Sequence, residues 1–329
     1  MLVVTNSDKI FIEWSEYGSR TDSLAHAIGA KPVFIGKINT HRNILYSFFT
    51  YLPKSFKNFK IIKKNKSRIV FISNSNWVIA LVNLIFSNLF GHKIVFDSHS
   101  CAFDHKFIKY PLFLSKYFAK KADLSIITNE VYYNLLTSIG AKALIISDIP
   151  YEEKLFTNEK MELSPLFNIC YVCTYSADEP FKEVFEAARK NEKVKVYVTG
   201  DYKKVNIDPN NYPHIAFTGF LSNEEYERYL NSVDLIMTLT TRENTMQRAG
   251  SEAISVGKPL ITSDTKMLRN YFKSGTIFVT CTSKGINDGF NASIKNFQIL
   301  KEGILKLREE RKKIFSSKLE ILNRILEIK

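Results

Sequence analysis

The densest group of side chains able to do chemistry lies between Thr238 and Asp264, in the run TLTTRENTMQRAGSEAISVGKPLITSD. It offers two guanidiniums (Arg242, Arg248), two carboxylates (Glu243, Glu252) and the polar pair Asn244 and Thr245. An apolar strand pattern over 234–239 gives way to a polar loop. A helix then opens through Gly250-Ser251-Glu252-Ala253 and leaves by Gly257-Lys258-Pro259 into another strand. In α/β proteins such a loop and helix start lie at the carboxyl ends of the strands, where ligands bind. Unpaired backbone N–H groups at the helix start favour a phosphate. A carboxylate at Glu252 can accept from both hydroxyls of a ribose.

Other chemistries lack their residues. There is no Gly-x-Gly-x-x-Gly, no Gly-x-x-x-x-Gly-Lys-Ser/Thr and no Gly-x-Ser-x-Gly. No paired Cys-x-x-Cys sets, His-x-x-x-His or Asp-x-Asp supply a metal site, so no metal is expected. Cys170 and Cys173 form one Cys-x-x-Cys, but strand alternation puts them on opposite faces, as core thiols. Four scattered cysteines (Cys101, Cys170, Cys173, Cys281) are no disulfide framework and point to a reducing, cytoplasmic compartment. The first residues show no basic segment leading into an apolar run, so a cleaved signal peptide is not expected.

The elements that must position these groups alternate. In the first half, strands are predicted at Lys9–Glu13, Pro32–Ile35, Ile69–Ile72, Lys93–Phe96, Leu124–Thr128 and Ala143–Ile146. Helices are predicted at Arg20–Ile28, Trp77–Phe90, Phe107–Lys121 and Val131–Ile139. The pattern loosens near Ile149–Pro165 and then restarts. Strands follow at Asn168–Cys173, Lys195–Thr199, Ile215–Phe217, Asp234–Leu239 and Leu260–Ser263, with helices at Pro180–Lys190, Ser222–Ser232 and Gln247–Val256. Ser222 with Glu225 has capping-box spacing. Helical sequence fills roughly 287–329. The fold class is α/β, with two lobes of parallel sheet.

Charge is uneven along the 329 residues. The net formal charge is +13, with 21 Lys and Arg against 12 Asp and Glu in residues 1–160, and 25 against 21 in the remainder. No acidic residue occurs between Asp22 and Asp97, while eleven basic ones do. This composition suits an anionic surface: membrane phosphates, an anionic acceptor or nucleic acid. The uncharged stretch 69–91 approaches the length of a membrane span, but Ser73-Asn74-Ser75-Asn76 divides it into a strand and a helix. Segment 43–66 interleaves aromatic and aliphatic residues with lysines, a composition that suits lying on a bilayer or packing on a core with a basic outer face.

With these residues in view, Glu252-Ala253-x-x-x-Gly257-Lys258-Pro259-Leu260-Ile261-Thr262-Ser263-Asp264 resembles the donor-site signature of GT-B glycosyltransferases, specifically retaining family 4. Three further stretches resemble the same family in the same order. They are Tyr175–Lys182 (the first phosphate-binding loop), Val198–Asp201 (the next strand end) and Phe217–Leu221 with Glu224-Glu225-Tyr226 (the loop stacking on the base). The first lobe matches through Asp97-Ser98-His99 alone. The family carries two glutamates separated by seven residues; with Glu252 second, the first position falls on Asn244, beside Glu243. It also tends to have an arginine where this chain has Ser176, and Arg242 or Arg248 can supply that guanidinium.

The resemblance implies two Rossmann-like domains facing across a cleft. An acceptor domain spans 1–155, a nucleotide-sugar donor domain 156–300, and a helical tail 301–329 can pack back on the first. It implies His99, Lys182 and Arg248 as catalytic groups. Donor-binding residues would be Glu252, Asn244, Thr245, Arg242, Glu243, Ser176, Gly200, Gly219 and Phe220. On the acceptor side stand Gly18 and Arg20, the latter meeting an acceptor phosphate or simply decorating a helix start. The implied reaction is metal-free and needs no cofactor beyond the nucleotide sugar, with retention at the anomeric carbon. The expected partners are a glycan or lipid-linked acceptor and an anionic membrane surface, at the cytoplasmic face of the inner membrane. Alternatives of the same fold are a nucleotide-sugar epimerase or hydrolase and an inactive binding subunit. No nucleic-acid motif is evident.

Overall fold

The computed structural model describes residues 8–36, 44–64, 68–75, 77–98, 102–103, 112–151 and 155–327. The chain forms two compact units, Met1–Asp148 with Phe315–Lys329, and Ile149–Ile314.

The first unit holds six parallel strands: β1 (Lys9–Glu13), β2 (Lys31–Phe34), β3 (Ile69–Asn74), β4 (Lys93–Ser98), β5 (Leu124–Ile127) and β6 (Ala143–Ile145). Their order is β2-β1-β3-β4-β5-β6. The middle of this sheet is buried on both faces, which is why KIFIE and IVFI read as near-continuous apolar runs. The connecting helices are α1 (Ser19–Ala27), α2 (Ile44–Lys64), α3 (Trp77–Phe90), α4 (Leu112–Lys121) and α5 (Glu130–Thr137). Tyr51 and Ile62 of α2, Ile79 and Leu84 of α3 and Phe118 of α4 join Ile10, Val70, Ile72 and Phe96 in one core. These three helices therefore cover the same sheet face. Asn129 caps α5 by accepting from the Tyr132 N–H.

The second unit repeats the plan in a different order. Its strands are β7 (Phe167–Tyr171), β8 (Val194–Thr199), β9 (Ile215–Gly219), β10 (Leu235–Thr238), β11 (Leu260–Ser263) and β12 (Thr276–Val279), all parallel. They run β12-β11-β10-β7-β8-β9, so the order reverses between β7 and β10. Helices α6 (Phe181–Arg189), α7 (Asn223–Ser232), α8 (Arg248–Val256), α9 (Lys266–Tyr271) and α10 (Ser283–Lys295) lie between and after the strands. Cys170 and Cys173 fall into the cores on opposite faces of this sheet, as alternation requires. Burial, with the nearby Glu252 carboxylate, pushes the Cys170 thiol up to about 12.

The last helix, α11 (Phe297–Glu327), begins in the second unit and ends in the first. There Lys9 Nζ donates to Asn323 Oδ1 at 3.0 Å and Lys93 Nζ to the Leu326 carbonyl at 2.5 Å.

Most predicted elements form within a residue or two of their expected limits, and the uncharged stretch divides into β3 and α3. The structure adds three things. Segment 43–66 contains a helix despite Pro53 within it. The stretch 287–329 is two helices, the first starting earlier where Thr282 caps Gly285. Helix α9 and β12 were not anticipated; each is only six or four residues long. The part of the predicted helix at 107–111 lies outside the described residues.

Candidate functional site

The reversal between β7 and β10 makes their outgoing loops diverge, and ligands of open α/β sheets lie at the carboxyl ends of strands at such a point. Here Asp178 ties the two loops together. Its Oδ2 accepts from Thr240 Oγ1 at 2.7 Å and its Oδ1 pairs with Arg242 Nη2 at 3.2 Å. Its backbone carbonyl accepts from the Thr241 N–H at 2.8 Å. The β10 loop is further closed by Gln247 Nε2, which donates to the Leu239 carbonyl at 2.8 Å. Gln247 therefore makes no side-chain cap for α8, whose first N–H groups keep no side-chain acceptor from their own N-cap.

The β7 loop is shaped by Glu179. One of its oxygens accepts from the N–H of Thr174 at 2.9 Å, the N–H of Ser176 at 2.8 Å and Thr174 Oγ1 at 3.0 Å. Between those two N–H groups Tyr175 has φ of 60°, a left-handed conformation that costs a non-glycine residue about 1–3 kcal/mol. The converging bonds to Glu179 offset that strain. Ser176 is exposed and its hydroxyl lies 2.8 Å from Thr174 Oγ1. Lys182, in the first turn of α6, is exposed and makes no hydrogen bond or ion pair among the described residues.

At the head of α8, Arg248 and Glu252 stand one turn apart, on the same helix face. Arg248 Nε donates to Glu252 Oε1 at 3.0 Å. The other carboxylate oxygen accepts from the Tyr226 hydroxyl at 2.6 Å. Tyr226 is delivered by α7, whose start is fixed by the Ser222–Glu225 capping box. Burial first, then the Glu252 charge, holds the Tyr226 phenol far above its ordinary range, so it serves as a donor. The carboxylate of Glu252 is nearly buried, at 8% exposure, and is fixed from two sides. Lys258 of the Gly-Lys-Pro segment is a strut: its Nζ donates to the Val233 carbonyl at 2.7 Å. Burial lowers its pKa.

The ends of β8 and β9 meet through the Gly200 N–H, which donates to the Gly219 carbonyl at 2.9 Å. Gly200 has φ of +87°, and a Cβ there would come within 2.2 Å of the Cys173 carbonyl oxygen. No side chain fits, so glycine lets the β7 and β8 ends approach. Directly after Gly219, the Phe220 ring is 89% exposed. Glu243 and Asn244 are exposed in the β10 loop, and Thr245 is half-buried. Sequence reasoning placed these strand ends but assigned no role to Tyr226, Asp178 or Glu179, although it quoted the stretches that hold them. Among the described residues no three His, Cys, Asp or Glu side chains group as a metal site.

In the first unit, Arg20 at the start of α1 is almost buried. Its Nε and Nη2 grip Asp97 at 3.0 and 2.9 Å, its Nη1 donates to Asp148 at 2.8 Å, and Nη2 also donates to the Ile146 carbonyl. Four of its five N–H donors are thus spent inside the unit. Burial pulls the Arg20 pKa down, but the two carboxylates push it up further, and the net is upward. Gly18 lies beside the Glu13 carboxylate, into which a Cβ would run. His99 lies outside the described residues.

Residues 170–308 match the family described as Glycosyl transferases group 1. No curated protein matches the chain. Solved structures do. HepE from Anabaena, in complex with UDP and glucose, is 13% identical with a TM-score of 0.73, covering 98% of this chain and 100% of its own. Sucrose-phosphate synthase from Thermosynechococcus elongatus is 14% identical with a TM-score of 0.74, covering 96% and 98%. A glycosyltransferase from Rickettsia africae is 14% identical with a TM-score of 0.72, covering 99% and 100%. At these identities the likeness establishes the fold. The fold is of the GT-B type, and over residues 170–308 the chain is similar to the group 1 glycosyl transferases.

Proposed function

We propose that the second unit binds a nucleotide sugar and that the enzyme passes the sugar, with retention, to a membrane-linked glycan or lipid in surface polysaccharide synthesis. It would act at the cytoplasmic face of the inner membrane. The observation that carries the donor reading is the Glu252 carboxylate. It is held between Arg248 and Tyr226 at the head of α8, beside the strand-order reversal where a nucleotide would lie. HepE was crystallised with UDP-glucose, which makes uridine diphosphate hexoses the first donors to try.

When the bond between the anomeric carbon and the phosphate oxygen breaks, negative charge develops on the diphosphate. Preorganised cations and N–H groups stabilise such charge without a metal. Lys182, Arg248 and the first turn of α8 offer them. The acceptor hydroxyl attacks from the leaving-group face and forms the new bond to the anomeric carbon. Its proton goes to the departing phosphate oxygen, so no protein nucleophile is needed. Glu252 then holds the ribose hydroxyls, and Phe220 offers the base a flat apolar face.

The test is an assay of a nucleotide-sugar panel with and without lipid-linked acceptors from membrane extract. We expect donor consumption only with acceptor, an unchanged anomeric configuration in the product, and full activity in EDTA. Donor hydrolysis or epimerisation without acceptor would overturn the transferase reading, and a strict divalent-metal requirement would end the metal-free mechanism. A narrower expectation concerns the base. Stacking on an aromatic ring contributes about 1–3 kcal/mol, so Phe220→Ala should raise the donor KM at least about fivefold with kcat unchanged. Steady-state kinetics checks this, and an unmoved KM removes Phe220 from the donor site.

A further inference from the structure

Helices α2, α3 and α4 cover one face of the first sheet, and the residues they turn away from it share an unusual composition. Leu52, Phe56, Ile85, Leu89, Phe113 and Tyr117 are each more than half exposed. They recur at helical spacing: Leu52 and Phe56 on α2, Ile85 and Leu89 on α3, Phe113 and Tyr117 on α4. The same outward sides carry Lys60, Lys63, Lys64, Lys120 and Lys121, all exposed. None of the three helices contains an acidic residue or an arginine.

The helices are joined. Phe59 of α2 lies with ring centroids 5.3 and 5.5 Å from Phe86 and Phe90 of α3, and Phe56 is 6.5 Å from Phe59. Asn58 donates to Asn83 at 2.7 Å, a buried tie between α2 and α3. Helix α4 packs along α3 in turn. Of the acids near these helices, Asp97 is buried against Arg20, Asp123 accepts from the Ile94 N–H, and Glu16 acts on Lys54 at one end of the face. Several ammonium groups hover over aromatic rings, Lys60 at 4.5 Å from the Phe56 centroid and Lys121 at 5.7 Å from that of Tyr117. This places apolar stems and rings level with cationic heads.

We propose that this three-helix face docks on an anionic lipid bilayer and lies in its interface without crossing it. Apolar side chains would enter the boundary of the acyl region while the lysines meet headgroup phosphates. Among the described residues no helix is long and apolar enough to span a membrane. Two such faces would repel each other, which disfavours a second copy as the partner. A nucleic acid would leave Ile85 and Leu89 without a partner. The inference rests on the membrane-acceptor reading for its purpose, but the docking chemistry stands apart from catalysis.

The experiment sediments the intact chain with vesicles of phosphatidylcholine alone or with roughly one-third phosphatidylglycerol, at physiological and at high salt. Each lysine near such a surface contributes a factor of about five to partitioning. The variant K60Q/K64Q/K120Q/K121Q should therefore lose at least about 100-fold in affinity for the anionic vesicles. The variant I85S/L89S should lose about tenfold and release fully at high salt, where screening shortens the reach of the lysines. Both should keep the donor turnover of the unaltered enzyme on a soluble acceptor. Equal binding of the parent chain to neutral vesicles, unchanged binding by the glutamine variant, or tighter binding to an oligonucleotide at the same salt would overturn the proposal. Vesicle binding without any donor turnover would instead count against the transferase reading alone.

Discussion

Glu252→Ala is expected to lower kcat/KM for the nucleotide sugar by about 100- to 1000-fold. The carboxylate is nearly buried and accepts from a guanidinium and a phenol at once. Removing it takes away the acceptor for ligand hydroxyls and leaves Arg248 and Tyr226 without their common partner. Hydrogen bonds to a charged group contribute about 1.5–3 kcal/mol each, and about 1.4 kcal/mol is tenfold in rate. Glu252→Gln keeps the shape but loses the charge that holds Arg248, so it should recover little. Tyr226→Phe removes one neutral donor and should cost only about tenfold. Steady-state kinetics on variants that retain the far-ultraviolet dichroism of the parent decides the matter. Unchanged kinetics in Glu252→Ala would place this residue outside the site.

Arg20→Met should cost about 3–5 kcal/mol of stability, the range for breaking a buried ion pair from one side. Methionine fills much the same volume, so packing loss is small. What remains is Asp97, fully buried, and Asp148, nearly so, without the guanidinium that bridged them. Urea unfolding should show a large drop in midpoint. The double variant R20M/D97N should be more stable than R20M, because it removes one of the two buried negative charges that the guanidinium had balanced. A loss below about 1 kcal/mol for R20M would show that the triad is solvated and not a structural tie.

These two sites also show what a single sequence discloses. Strand β1, helix α3 and strand β11 were legible to the residue because each is an apolar run bounded by polar or glycine residues. The loop between β10 and α8 was legible because its reactive residues are neighbours in the chain. The partners were not. Tyr226 and Glu252 are 26 positions apart, Asp178 and Thr240 62, and Arg20 and Asp97 77. No local periodicity encodes such pairings; they arise only when the strand order is known. Arg20 illustrates the cost, since the sequence offered a phosphate or a helix start and gave no sign of its two carboxylates. Helix α2 was hidden for a different reason. Pro53 and the even mixing of aromatics with lysines blurred its inner stripe of Tyr51, Asn58 and Ile62.

The return of α11 to the first unit has a consequence for the order in which the chain matures on the ribosome. Residues 149–314 contain everything their unit needs. The first unit does not: Lys9 waits for Asn323, 314 positions later, and Lys93 for the carbonyl of Leu326. The half that is synthesised first is therefore completed last. Until the last turns of α11 are made, the surface that Leu322 and Leu326 finally cover stays open to water, to chaperones or to other nascent chains. A truncation just after Ile314 would strike the first unit and leave the second whole.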